Sequence, residues 1–116
     1  MKYMSSWKRR WSRLKLNKGL SLLSLATRAG KTKSGSFQTE QAVKSGLACL
    51  VIVAEDASEN TKKKFRNMCS FYEVPILFYS DQDTLGHAMG KEFRTSAAVT
   101  DAGFADEIEK QLKMEE

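Results

Sequence analysis

LACLVIVAEDASENT, residues 47–61, changes character halfway along. Its first eight residues, 47–54, are continuously apolar and rich in β-branched side chains. Such a run is too short for a typical buried helix and suits a central strand covered on both faces. Glu55-Asp56-Ala57-Ser58 then turns the chain. Asp56 with Glu59, or Ser58 with Thr61, has the spacing of a helix cap. Beyond it, Phe65, Met68, Cys69 and Tyr72 share one stripe, with Lys62, Lys63, Lys64 and Arg66 outside it. That helix is expected to stop before Pro75, the only proline. A strand feeding an amphipathic helix is the building unit of an α/β domain.

The unit recurs downstream. ILFYS, 76–80, reads as a second strand, and Ser80 or Asp81 caps a short helix with Leu85, Ala88 and Met89 that ends at Gly90. SAAVT, 96–100, is a short strand of small residues. Asp101 then caps a last helix with Phe104, Ile108 and Leu112 on one face. Upstream, residues 17–29 read as a core-facing helix with Leu22, Leu25, Ala26 and Ala29 in register, Leu20 and Leu23 widening the stripe, Asn17 as N-cap and Gly30 as stop. A short strand around Thr32–Ser34 and a partly buried helix over 36–45 complete the order. This alternation predicts a small sheet sandwiched between helices, in one domain over residues 16–116.

Residues 1–15 are set apart as a basic extension. Trp7, Trp11 and Leu14 recur at helical spacing between Lys8, Arg9, Arg10 and Arg13, a basic amphipathic pattern. No uninterrupted apolar stretch follows this basic start, so no signal peptide is expected, and no run approaches the roughly 18 apolar residues of a membrane span. Cys49 and Cys69, with a single His elsewhere, lack metal-ligand spacing and read as reduced thiols, which fits a cytoplasmic protein. Neither metal nor cofactor is expected.

The net charge of +5 is unevenly placed. Residues 1–33 hold ten Lys and Arg and no acidic side chain, while the remainder holds nine basic and fourteen acidic ones, a balance of −5. A polyanion docked on one face would explain the asymmetry. RAGKTKSGS, 28–36, concentrates the question, because Gly30-Lys31-Thr32 imitates the end of a nucleotide-binding loop. That loop needs a glycine at position 25, where Leu25 stands in a helical pattern, so nucleotide hydrolysis is excluded. What remains is Lys31 and Lys33 leading into Gly35 and a helix start, whose free N–H groups and dipole favour an anion. A phosphodiester backbone fits such a site.

Several segments resemble the bacterial YlxQ-type branch of the ribosomal protein "L-seven-Ae" family: LATRAGKTKSG (25–35), AVKSGLACLVIVAEDASENTKKK (42–64), CSFYEVP (69–75), LGHAMGK (85–91) and AVTDAGFA (98–105). The resemblance implies a three-layer α/β/α sandwich around a small mixed sheet, ribosomal "L-thirty-e"-like. It also implies a non-catalytic, monomeric, ribosome-associated protein that binds RNA at kink-turns, where sheared G·A pairs follow a bulge. In the family, RNA meets a glycine-led helix start patterned Gly, hydroxyl, Asn, Glu, two variable residues, Lys. Here the stretch reads Gly35, Ser36, Phe37, Gln38, Thr39, Glu40, Gln41, so Phe37, Gln38 and Gln41 depart from it. A second element, a small-residue loop, corresponds to Arg94, Thr95, Ser96, Ala97, Ala98 and Val99.

On this reading Lys31, Lys33 and the N–H groups of 35–38 grip the backbone, Gln38 reaches a base edge, and loop 94–99 covers an extruded nucleotide. Arg28 and Lys44, with Lys18, add phosphate contacts, and four to six contacts give a salt slope of roughly −3 to −5. His87 and the carboxylates of Glu55 and Asp56 read as structural. A protein–protein adaptor of the same fold and a nonspecific RNA binder are the alternatives. An RNA-modifying enzyme is excluded by length, since no room remains for a cofactor domain.

Overall fold

The computed structural model describes residues 18–114; the basic segment 5–15 and the Asn17 cap lie outside the described residues. The chain runs α1 (Lys18–Arg28), β1 (Thr32–Ser34), α2 (Ser36–Lys44), β2 (Leu50–Val53), α3 (Glu59–Tyr72), β3 (Ile76–Phe78), α4 (Gln82–Ala88), β4 (Ser96–Val99) and α5 (Ala102–Met114). The strands form one sheet in the order β1-β4-β2-β3, with β4 antiparallel to both β1 and β2, and β2 parallel to β3. The expected mixed sheet is present, and the short segment at Thr32–Ser34 is its edge strand.

Period-two alternation sorts the strand residues between two helical layers. Leu50, Ile52, Ala97 and Val99 face Leu20, Leu23 and Ala26 of α1, Leu85 of α4, and Ile108 and Leu112 of α5. Val51, Val53 and Ala98 face Ala42 and Val43 of α2 and Phe65 and Cys69 of α3. The sandwich therefore has α1, α4 and α5 on one side and α2 and α3 on the other. Leu23, Phe65 and Ile108 are fully buried, each worth about 1.5–3 kcal/mol in transfer from water. Burial also pushes the Cys69 thiol up to about 11.

One local expectation changes, and two open alternatives are decided. The buried stripe of α1 is Leu20, Leu23 and Ala26, while Leu25 is half exposed and Ala29 lies on the surface. Leucines surround this helix on most sides, so its periodicity admits two stripes, and packing on α5 and the sheet selects one. Helix α3 is capped by Ser58, whose hydroxyl accepts the Thr61 N–H, which leaves Asp56 free for another role. Helix α4 is capped by Asp81, which accepts the Thr84 N–H at 2.7 Å. Asp101 caps α5 as expected, accepting from Phe104 N–H at 2.9 Å.

Candidate nucleic-acid interface

The strand directions bring one set of chain ends together. Because Ser34 pairs with Ala97 and Val53 with Ser96, the C-terminal ends of β1 and β2 and the start of β4 share an edge of the sheet. At that edge α2 begins beside the loop that enters β4. Gly35 opens α2 at φ +91°, a conformation that an L side chain rarely adopts. No side chain caps this helix, so its first N–H groups stay open to solvent. The Gly35 N–H donates to the Ser96 carbonyl at 2.9 Å. Ser36 Oγ and Thr95 Oγ1 lie 3.2 Å apart, and Arg94 Nε donates to Ser34 Oγ at 3.4 Å. Beneath them, the buried Ser96 hydroxyl donates to Thr39 Oγ1 at 3.3 Å and pins the first turn of α2 to β4. The glycine-led helix start and the residues around Arg94 thus form one surface.

The expected site residues distribute unequally around it. Ser36, Phe37 and Gln38 are exposed on the first turn, with Phe37 at 70% of its full exposure and so not packed inward. Gln41 is exposed one turn further on. Lys33 is exposed on β1, Lys31 is exposed just before the strand, at its opposite end from Gly35, and Arg28 is exposed at the end of α1. From Gly35 to Lys31 the chain covers about 13 Å of extended backbone. Lys44 sits at the far end of α2, about 12 Å from Ser36 along the helix axis. Its ammonium lies 2.8 Å from Glu40, whose carboxylate also binds Lys64 at 2.7 Å. The bonds to Lys44 and Lys64 hold the Glu40 carboxyl down to about 2, and the bond to Glu40 raises the Lys44 pKa. Lys44 therefore spends its charge on a partner within its own helix, while Lys64 makes the bond that joins α3 to α2.

One expectation is corrected outright. Ser96, Ala97, Ala98 and Val99 are not the covering loop that the resemblance implied; they are strand β4, as the pattern of 96–100 predicted, and all four are fully buried. A run of small residues can serve a loop that approaches RNA or a strand squeezed between two helical layers, and the second use holds here. Only Arg94 and Thr95, partly buried, remain at the surface. Residues that the sequence reading did not assign to the site support them. Ser34 accepts from Arg94, Asp56 accepts the Gln82 N–H, and Gly86 lies against the backbone of Glu92 and Phe93. A glycine in the middle of α4 is the signal that could have marked the last of these.

The comparisons with known proteins agree with this architecture. Residues 17–109 match the Ribosomal protein L7Ae/L30e/S12e/Gadd45 family. A Bacillus subtilis protein named "RNA-binding protein YlxQ" is 42% identical over 87 residues, covering 75% of this chain and 87% of the relative. Its Enterococcus faecium namesake is 36% identical over 96 residues, covering 83% and 92%. A solved structure of a Bacillus halodurans protein of unknown function superposes with a TM-score of 0.81 at 38% identity, covering 84% of this chain and 98% of that one. The Giardia lamblia 15.5kD RNA binding protein shares the fold, with a TM-score of 0.70 at 24% identity over 88% of this chain and 90% of its own. The chain belongs to the Ribosomal protein L7Ae/L30e/S12e/Gadd45 family and, within it, to the YlxQ-type branch.

Proposed function

We propose that this protein is a non-catalytic, cytoplasmic, monomeric RNA-binding module, associated with the ribosome, that recognises kink-turn-like RNA. One observation carries the reading: the uncapped start of α2 and the Arg94-Thr95 segment meet at a single edge, joined by Ser36 and Thr95 at 3.2 Å. Open backbone N–H groups offer an anion site, and Lys33 on edge strand β1, with Lys31 before the strand and Arg28 at the end of α1, supplies cations for a phosphate backbone. The exposed Gln38 offers both a donor and an acceptor to a base edge. A sharply bent strand would lay its backbone on β1 and the α2 start and turn its unstacked nucleotide toward Arg94. The names of the YlxQ relatives support RNA as the partner.

Titration of a labelled kink-turn RNA against the same RNA with its G·A pairs changed to Watson–Crick pairs tests this. The bent RNA is expected to bind at least tenfold more tightly, a difference of about 1.4 kcal/mol. Equal binding of both RNAs would reject kink-turn recognition, and no binding of either would reject the RNA reading.

A further inference from the structure

We propose that Asp56 is a positioning residue for the Arg94-Thr95 segment, acting through the backbone of Gln82; this rests on the RNA-binding reading above. Asp56 lies in the turn between β2 and α3, yet it does not cap α3, because Ser58 does. Its Oδ1 instead accepts the Gln82 N–H at 3.0 Å, from 26 residues away in the sequence. Gln82 Nε2 returns a hydrogen bond to the Asp56 carbonyl at 3.3 Å. The Gln82 carbonyl in turn accepts the Arg94 N–H at 3.1 Å. The same turn reaches the segment directly as well, through Ala54 N–H to the Thr95 carbonyl at 2.8 Å.

The other side of the segment is closed by packing. A Cβ at Gly86 would stand 2.5 Å from Phe93 Cα and 2.7 Å from the Glu92 carbonyl oxygen. Residues 92–93 therefore lie directly on α4, and whatever moves the first turn of α4 moves Arg94. The contacts that join Arg94 and Thr95 to the α2 side, at 3.4 and 3.2 Å, are longer than the backbone bonds at 2.8 and 3.1 Å that hold Thr95 and Arg94 from the Asp56 side. They are too weak to set the position of the segment by themselves. The relay from Asp56 through Gln82 to Arg94 sets it instead, and the Arg94 side chain is presented at the α2 start as a consequence. A sequence that places an acidic turn beside an RNA site needs such a reason, since a free carboxylate there would repel phosphate. Here the carboxylate faces a backbone donor.

The test uses the full chain and the labelled kink-turn RNA. Asp56→Ala removes the acceptor, while Asp56→Asn keeps an oxygen in its place. Gln82→Pro removes the donor without changing charge. It suits the first position of α4, after Asp81 at φ −114° and ψ 172°. Asp56→Ala and Gln82→Pro are expected to weaken binding about tenfold, the scale of one lost hydrogen bond to a charged group. Asp56→Asn is expected to lose only about threefold, since a neutral acceptor keeps about half of such a bond. In an Arg94→Ala background, Asp56→Ala and Gln82→Pro should add no further loss. Amide hydrogen exchange at Arg94 should accelerate in Asp56→Ala and Gln82→Pro and not in Asp56→Asn. Parental affinity in Gln82→Pro, an equal loss in the Arg94→Ala background, or no rescue by Asp56→Asn would overturn the proposal. If Asp56→Ala does not fold, Gln82→Pro decides. If the parent binds no RNA, the RNA reading falls alone, and unchanged Arg94 exchange in Gln82→Pro is then the result that overturns the relay.

Discussion

Phe37 departs from the helix-start pattern that the resemblance implies, and the structure leaves its ring 70% exposed. An exposed phenyl ring can stack on a base but cannot hydrogen-bond to its edge, whereas an amide at that position could do so twice. Little apolar burial is lost by replacing it. Phe37→Asn is therefore expected to change the unfolding free energy by no more than about 0.5 kcal/mol. It should tighten binding to RNA with tandem G·A pairs about tenfold, within the roughly 1–3 kcal/mol that a bidentate base contact supplies. Paired titrations against G·A and Watson–Crick RNA check this, and an equal gain on both would show that the amide reads no base. The candidate site was legible at this scale only where function needs exposed groups in consecutive positions. Gly35, Ser36 and Gln38 stand together in the chain and also on the surface. Asp56, Gln82 and Arg94 meet only after the sheet has formed, and nothing local in DAS or SDQ announces that their backbones will connect.

Helix ends show what punctuation a sequence can and cannot reveal. Gly30, Gly46 and Gly90 each take a positive φ just past a helix and close it with paired backbone bonds, as their positions suggest. Helix α3 ends in the same way without a glycine. Glu73 adopts φ 57° and ψ 45°, and the Val74 N–H reaches back to the Cys69 carbonyl at 2.8 Å. Pro75 explains why the helix stops but not how. A left-handed conformation costs a non-glycine residue roughly 1–2 kcal/mol, part of which is offset by the greater freedom of glycine in the unfolded chain. Glu73→Gly is expected to stabilise the fold by about 0.5–1 kcal/mol. That should raise the Tm by about 2–6 °C for a domain of this size. Calorimetric melting of the two proteins checks it, and a lower Tm in the variant would mean that the Glu73 side chain makes a contribution the turn geometry does not capture. The elements themselves were legible because β2 is continuously apolar and α3 strictly periodic. The packed face of α1 was not, since leucines at 20, 22, 23 and 25 satisfy more than one stripe. Nor was the burial of Ser96–Val99, which follows from the register with β1 and β2 and not from four small residues.

At the scale of the whole molecule, charge and geometry make separable contributions to RNA binding. The folded surface offers Lys33 and Arg94 near the α2 start, Lys31 at the other end of β1 and Arg28 at the end of α1, while Lys44 and Lys64 share Glu40. Four phosphate contacts of this kind correspond to a salt slope of about −3. A further run of cations lies in the first fifteen residues, where Lys8, Arg9, Arg10 and Arg13 fall within one short stretch without an acidic neighbour. Counterion release depends on how many phosphates are neutralised and not on where the bend in the RNA is read. Replacing those four side chains by Gln should therefore weaken binding to bent and fully paired RNA by the same factor. It should also make the salt slope shallower by about 0.7–0.9 for each contact removed. Preference for the bent RNA should persist, because that preference is assigned to the α2 start and Arg94. Replacing Arg94 by Ala should do the reverse, lowering the preference while shifting the slope by no more than about one contact's share. Titrations of both variants between about 50 and 200 mM salt separate the two effects, since one contact alone changes affinity only a few-fold over that range. A preference that disappears with the N-terminal charges would place recognition outside the folded edge and remove the basis for the site described here.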